Sequence, residues 1–366
     1  MSTPLSQKIK ALIRATGPIS VSDYFALCLG DPEHGYYKTR EPFGTTGDFI
    51  TAPDISQLFG EMIGVFMVHA WQRHGSPSTV HLVEAGPGRG TMMVDMLRVI
   101  RKIAPPMFNG IDIHLIETSE RLRGVQRVTL ESYSSKITWH DSLESLPEDF
   151  MLIVANELFD AIPVRQFIKT RTGFRERLIA LDDKGELAFA IGSQTLDAQE
   201  LPPSHPSVPD GTLFEVAPAR RAIMQSVSEQ LLNATGTALI IDYGHMISGF
   251  GDTLQAVRNH QFDPPFAHPG EADLTSHVDF EDLARIATTS GIHLNGTLRQ
   301  GDFLYGLGLA TRASSLANGK RLEDQELIVA AVDRLAGEGA GKMGELFKVM
   351  AVSSPACSLE PFRSVK

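Results

Sequence analysis

The chain has 366 residues, 42% hydrophobic and 21% charged, the composition of a globular protein with room for one large domain with insertions or a core plus a smaller domain. A formal net charge of −11 argues against bulk binding to nucleic acid or to an anionic membrane. Two cysteines far apart in sequence, Cys28 and Cys357, make neither a disulfide framework nor a zinc motif, and no His, Cys and carboxylate cluster has metal-ligand spacing, so no metal is expected.

The first residues, MSTPLSQKIKALIRATGPIS, lack the apolar run of a secretory signal, and their Lys and Arg are too sparse for a transit peptide. A cytoplasmic protein is expected. The longest apolar run, 62–71, contains His69 and is too short to span a bilayer, so no membrane insertion is expected. Helical periodicity over 5–15 places Leu5, Ile9, Leu12 and Ile13 on one side. Ser20 can cap a second helix through Tyr24, Phe25 and Leu27. The stretch HGYYKTREPFGTTGDFITAPDIS is too rich in breakers for a regular element. An apolar helix follows from Ser56 to about Arg73. Residues 1–75 therefore read as a helical region carrying one long loop.

From there strands and helices alternate. VHLVEAG (80–86), DIHLIETS (112–119), KITWHDS (136–142), MLIVANELFDA (151–161) and TALIIDYG (237–244) read as five strands, with helices at 91–103 and 120–130 after the first two. ELFKVMAVS (345–353) reads as a last strand. Such alternation implies an α/β fold, a Rossmann-like and mainly parallel sheet over 76–366 with helices on both faces. Residues 163–235 read as an inserted β-ribbon or subdomain, with alternation at VRQFIKT, FRERLIAL and ELAFAI. Residues 245–300 read as a second, irregular insertion, with HPGEADLTSHVDF followed by a helix. Both follow strands at the sheet edge where open α/β folds bind ligands.

The strongest local signal is Val83-Glu84-Ala85-Gly86-Pro87-Gly88-Arg89-Gly90, where a strand ends, the chain turns on glycines and a helix begins. Glycine permits unusual dihedrals and close backbone approach to a ligand, and a helix start offers free N–H groups. The spacing G-x-G-x-G is not the G-x-G-x-x-G of dinucleotide folds, which disfavours a nicotinamide-dependent oxidoreductase. N–H donors beside the carboxylate of Glu84 suit the zwitterion of S-adenosyl-L-methionine better than a pyrophosphate. Gly86, Gly88 and Gly90 would form that cradle. Glu117, at the end of the second strand, can accept from both ribose hydroxyls. After the third strand, Asp141 could take the adenine amino group, with Ser142 and Leu143 along the ring. The fourth strand ends abruptly in Asn156 and Glu157, expected to form the wall between cofactor and substrate. Each has a plainer alternative as a turn or helix-capping residue.

Taken together the motifs resemble a known methyltransferase family, the one that includes the mitochondrial arginine methyltransferase required to assemble respiratory complex I, and its bacterial homologues. GYY (35–37), GDFITAPDISQLFGEMIG (47–64), EAGPGRGTMMVDMLR (84–98), ANELFDAIPVRQF (155–167), IDYGH (241–245), DTLQAVRNH (252–260), PGEADLTSHVDF (269–280), QGDFLYGLGLATR (300–312) and MGELFKVM (343–350) carry the resemblance in order over nearly the whole chain. It implies a seven-stranded class I methyltransferase core with an added helical N-terminal region. It also implies cofactor contacts at Gly86, Gly88, Gly90, Glu117, Asp141 and Asn156, and a GDFITAP loop closing over the site. Departures are small: Ala85 stands where Ile is common, and GTLR precedes QGDFL where a Gly-Pro pair is usual. The chain resembles a bacterial member; the eukaryotic branch is mitochondrial.

Methyl transfer is an in-line displacement with sulfonium as leaving group, so a protein supplies alignment and electrostatics. An arginine acceptor is charged and needs carboxylates to orient it. Glu157 is the first candidate and Asp160 the second. Asp48 and Phe49 in the N-terminal loop, Asp242 after the fifth strand, and His277 and Asp279 in SHVDF are further candidates for the substrate side. The acidic balance fits a protein acceptor, such as a complex I subunit or its bacterial counterpart, better than nucleic acid. Competing expectations are a non-catalytic assembly factor that keeps the fold, and a methyltransferase acting on a small molecule or RNA.

Overall fold

A computed structural model describes residues 2–39, 51–202 and 207–362. The chain forms two compact units, one of residues 1–49, 160–222 and 247–277, the other of residues 50–159, 223–246 and 278–366.

The second unit is built on an eight-stranded sheet. Strand β1 (Val80–Ala85) is buried along its whole length, as a parallel strand covered on both faces must be. The others are β2 (Ile111–Ile116), β3 (Ile137–His140), β4 (Met151–Asn156), β5 (Gly236–His245), the short β6 (Val278–Asp279), β7 (His293–Arg299) and β8 (Phe347–Ser354). Their order is β7-β8-β5-β4-β1-β2-β3, with β6 beside β5. Strands β1 to β5 run parallel, and β8 lies antiparallel between β5 and β7. Glu84 pairs in register with Val154 and Ala85 with Ala155, so β1 and β4 end level.

Helices cover both faces, as the alternation of strand and helix requires. On one, α1 (Ala52–Ile55), α2 (Gln57–Arg73) and α3 (Thr91–Ile103) belong to a core in which Phe59, Met62, Phe66, Met93 and Met96 meet Leu82, Leu152, Val154 and Leu239. On the other, Met224, Val227 and Leu231 of α5 (Pro218–Ala234) and Phe280, Leu283 and Ala287 of α6 (Phe280–Thr289) meet Val83, Ile153 and Ile240. Between β2 and β3 lies α4 (Glu120–Thr129), whose Ser119 cap accepts from the Leu122 N–H. At the shallow turn before α2, Thr51 precedes a first turn carrying Pro53, a position where proline's missing N–H costs nothing.

The first unit joins helices Pro4–Thr16 and Val21–Gly30 to an antiparallel sheet of Ile19–Ser20, Arg165–Thr170, Gly173–Leu181, Leu187–Thr195 and Leu213–Val216. Ser20 and Asp23 form a capping box, each side chain accepting the other's backbone N–H. A second sheet holds Gln255–Arg258 between Gln261–Asp263 and Asp273–Thr275. Leu5, Ile9, Tyr24, Phe25, Ile179 and Leu274 share its core.

Several elements differ from the sequence expectation, among them the strands Gln255–Arg258, Gln261–Asp263 and Asp273–Thr275 in a stretch read as irregular. The stretch 34–56 contains short helices at Tyr36–Thr39 and Ala52–Ile55 among its described residues. Strand β7 was not expected, because HLNGTLR is an edge strand with a register shift between Leu294 and Gly296, and a bulge breaks the alternation that would reveal it. No described helix is long and apolar enough to cross a membrane.

Candidate active site

At the end of β1 the chain turns through Gly86, Gly88 and Gly90, with φ of 67°, 52° and 81°. These left-handed values strain any residue with a Cβ. At Gly86 a Cβ would also lie 3.0 Å from Leu158 Cδ1, so that side chain would have to give way. The Gly86 N–H donates to the Ile116 carbonyl at 3.1 Å and the Gly90 N–H to that of Pro87 at 2.7 Å. Gly90 then caps α3, whose first-turn N–H groups have no partner within the helix. Below the turn, Glu84 is 3% exposed and its Oε2 has no hydrogen-bond partner. Burial pushes its carboxyl up to about 8. A carboxyl so placed is complete only when a cation or donor meets it.

Glu117 follows β2. Its Oε1 accepts the Ser119 N–H at 2.7 Å and its Oε2 accepts Gln126 Nε2 at 3.3 Å. Burial raises its pKa, and the hydrogen bonds from Ser119 and Gln126 oppose that rise. Asp141 follows β3 and pairs with Arg123 at 2.6 Å. Arg123 also donates to the Glu117 carbonyl at 2.6 Å and to that of His140 at 3.1 Å, so it ties the ends of β2 and β3 together. The next residues along this edge, Ser142 and Leu143, begin a short turn of helix, with Leu143 buried.

Asn156 and Glu157 stand at the end of β4. Asn156 is buried and its Oδ1 has no hydrogen-bond partner, while its Nδ2 donates to Glu157 Oε1 at 3.2 Å. The same Glu157 oxygen accepts the Ala52 N–H at 3.1 Å. Glu157 has a φ of 51°, a left-handed value held by a non-glycine residue at a strand end. Such outliers cost about 1–3 kcal/mol and persist where the surroundings impose them. Asp242, fully buried within β5 and not after it as the sequence suggested, accepts the Phe159 and Tyr243 N–H groups, both at 2.9 Å, and so fixes the turn after Glu157.

Among the other candidates, Asp279 caps α6 by accepting the Asp282 N–H at 3.0 Å and stands 3.5 Å from His245. Asp160 and His277 belong to the first unit. There their carbonyls accept from the buried Arg220, at 3.2 and 2.6 Å. Asp48 and Phe49, with most of the GDFITAP loop, lie outside the described residues. Gln126 and Arg123 were missed. Their signal was faint: Gln126 lies four residues from both Leu122 and Leu130, an amide in an apolar stripe, where it reads as tolerated core.

The residues fit an adenosyl-methionine cofactor on physical grounds. Two orphaned buried oxygens, Glu84 Oε2 and Asn156 Oδ1, lie near the ends of adjacent parallel strands beside a turn of three left-handed glycines, and a fixed carboxylate follows the next strand. Fold and site together define a Rossmann-like methyltransferase. Residues 62–298 match the model of a family described as "Putative S-adenosyl-L-methionine-dependent methyltransferase". The chain belongs to this family and is an S-adenosyl-L-methionine-dependent methyltransferase. It is similar to protein arginine methyltransferase NDUFAF7, mitochondrial, of Danio rerio, at 34% identity over 94% of this chain and 85% of that one. Its similarity to the Homo sapiens protein of the same name is 32% over 96% and 83%. A Burkholderia thailandensis structure bound to S-adenosyl-homocysteine superposes with a TM-score of 0.84 at 28% identity, covering 97% of this chain and 93% of that one.

Proposed function

We propose that the chain transfers methyl groups to an arginine of a protein, with a respiratory complex I subunit or its bacterial counterpart as the candidate acceptor. The carrying observation is the fixed carboxylate of Glu157, held by Ala52 and Asn156 at the end of β4 in a conformation that costs energy to maintain. The shared name of the relatives, protein arginine methyltransferase, supports the same acceptor class.

In this proposal the ammonium of S-adenosyl-L-methionine meets Glu84, the glycine turn approaches its carboxylate, and Glu117 accepts from the ribose hydroxyls. Asp141, Ser142 and Leu143 border the adenine. When bound, the cofactor supplies a methyl group already activated on a sulfonium. Glu157 orients the charged guanidinium and steadies its charge as it shifts, with Asn156 as the neighbouring wall. Asp160, Asp242, His277, Asp279, Asp48 and Phe49 are proposed for the substrate side or its support. We place the protein in the cytoplasm of a bacterium, which the two free cysteines support, whereas the named relatives are mitochondrial.

The test incubates purified protein and radiolabelled S-adenosyl-L-methionine with extract from a strain lacking the gene, then identifies the labelled species. Label on an arginine of a protein, lost with E157Q, is expected. Label confined to nucleic acid or a metabolite overturns the proposal. So does partner capture without methylation, the mark of a binding factor.

A further inference from the structure

Gln126 is fully buried on α4, yet it is neither at a strand end nor in the glycine turn. Its Nε2 donates to the Gly88 carbonyl at 2.9 Å and to Glu117 Oε2 at 3.3 Å. Its Oε1 accepts Trp139 Nε1–H at 2.9 Å. The amide orientation is fixed by these partners, since a flip would set oxygen against two acceptors and nitrogen against a donor. Its Cγ also lies 3.7 Å from where a Cβ on Gly90 would stand. One side chain thus reaches the glycine turn, the Glu117 carboxylate and strand β3.

We propose that Gln126 is a positioning residue of the cofactor site, setting the Glu117 carboxylate and the Gly88 backbone at one fixed spacing so that sugar and amino-acid ends are gripped together. This rests on the cofactor contacts proposed above. Without the amide, Glu117 keeps its Ser119 bond but loses the donor that aims its second oxygen, and the Gly88 carbonyl loses a buried partner. A carboxylate held through one oxygen only must have the other aimed by the ligand itself, which weakens binding.

The test is calorimetric titration of the full chain with S-adenosyl-homocysteine and with its 2′-deoxy analogue, which lacks one ribose hydroxyl. Wild type is expected to prefer the hydroxylated ligand about tenfold or more, the range for hydrogen bonds to a charged group. In Q126M, of similar volume, that preference should shrink to about twofold, with the larger loss on S-adenosyl-homocysteine. Equal weakening of both ligands marks a merely structural role and overturns the proposal, as does no weakening. If wild type binds neither ligand, the cofactor contacts themselves fall and this role with them. Should Q126M not fold, Q126E keeps the acceptor for Trp139 but sets a carboxylate against Glu117. Its penalty relative to wild type should ease from about pH 8 to about pH 6 as the new carboxyl gains a proton and donates again. A penalty unchanged with pH overturns the proposal.

Discussion

Glu157 and Ala52 are joined by a hydrogen bond of 3.1 Å, from the Ala52 N–H to Glu157 Oε1. With Asn156 Nδ2 on the same oxygen, the bond fixes a carboxylate at the end of β4, on a residue whose φ of 51° suits glycine better. Stability and chemistry should therefore separate at this position. In E157G, relief of about 1–2 kcal/mol of backbone strain offsets roughly the same loss of hydrogen bonding, so the unfolding free energy in urea should move by about 1 kcal/mol or less. Methyl transfer from labelled cofactor should fall about 100-fold or more, the scale of losing one preorganised electrostatic group. Intact transfer with a large loss of stability would assign Glu157 to the scaffold.

Glu84 should make cofactor binding release a proton. Its carboxyl rises from 4.5 in the open chain to about 8 because it is buried with an orphaned oxygen. Near pH 7 it is mostly protonated, and an arriving ammonium favours the ionised form. Titration with S-adenosyl-homocysteine in buffers of different ionisation heat should show about one proton released at about pH 7, and E84Q should show none. The sign for folding follows from the same shift. Between 4.5 and about 8 the folded state holds a proton that the unfolded state has lost, so stability falls as pH rises, by up to about 1.4 kcal/mol per pH unit. Stability of the ligand-free chain rising with pH through that window, relative to E84Q, would contradict the assignment.

Much of this candidate site was legible because its parts sit where a pattern breaks. Gly86, Gly88 and Gly90 interrupt an apolar strand, and Glu117 and Asn156 end apolar runs abruptly, so polarity appears where the sheet ends. Gln126 and Arg123 act from inside a helix, where their spacing only repeats the helical period and no break announces them. The opposite problem hid the first unit's assembly. Ile19 pairs with Ile179, and the helices of the N-terminus share a core with Leu274, contacts that no local periodicity encodes. Strand β7 was lost to its bulge and its half-exposed edge.

Asp242 should prove structural before it proves catalytic. Its carboxylate is fully buried and accepts the N–H groups of Phe159 and Tyr243, each at 2.9 Å. D242N can aim its single carbonyl oxygen at one of them only, and its amide then faces a donor. Destabilisation of about 1–3 kcal/mol is expected by thermal or urea unfolding, the cost of a buried donor left unmet. Cofactor affinity should change little, since neither contact reaches the glycine turn. A D242N chain of wild-type stability with transfer abolished would instead assign the carboxylate to the acceptor.

Three histidines span β1, β2 and β3 in one hydrogen-bonded row. His81 Nδ1 meets His114 Nε2 at 2.9 Å, His114 Nδ1 meets His140 Nε2 at 2.9 Å, and His140 Nδ1 meets Ser145 Oγ at 2.8 Å. Burial, and then the neighbouring His81 and His140, lower His114 from 6.5 to about 4. The unfolded chain therefore gains a proton below 6.5 that folded His114 refuses, and its contribution to stability is lost as pH falls toward about 4. Glu84 works in the opposite sense over much of the same range, so the two partly cancel in the wild type. Each variant should uncover the other group. E84Q should lose stability more steeply than wild type as pH drops from 6.5 to about 5, and H114Q should lose it less steeply or gain. The check is urea unfolding at several pH values across that window, and parallel curves for all three proteins would show that neither side chain titrates as its burial requires.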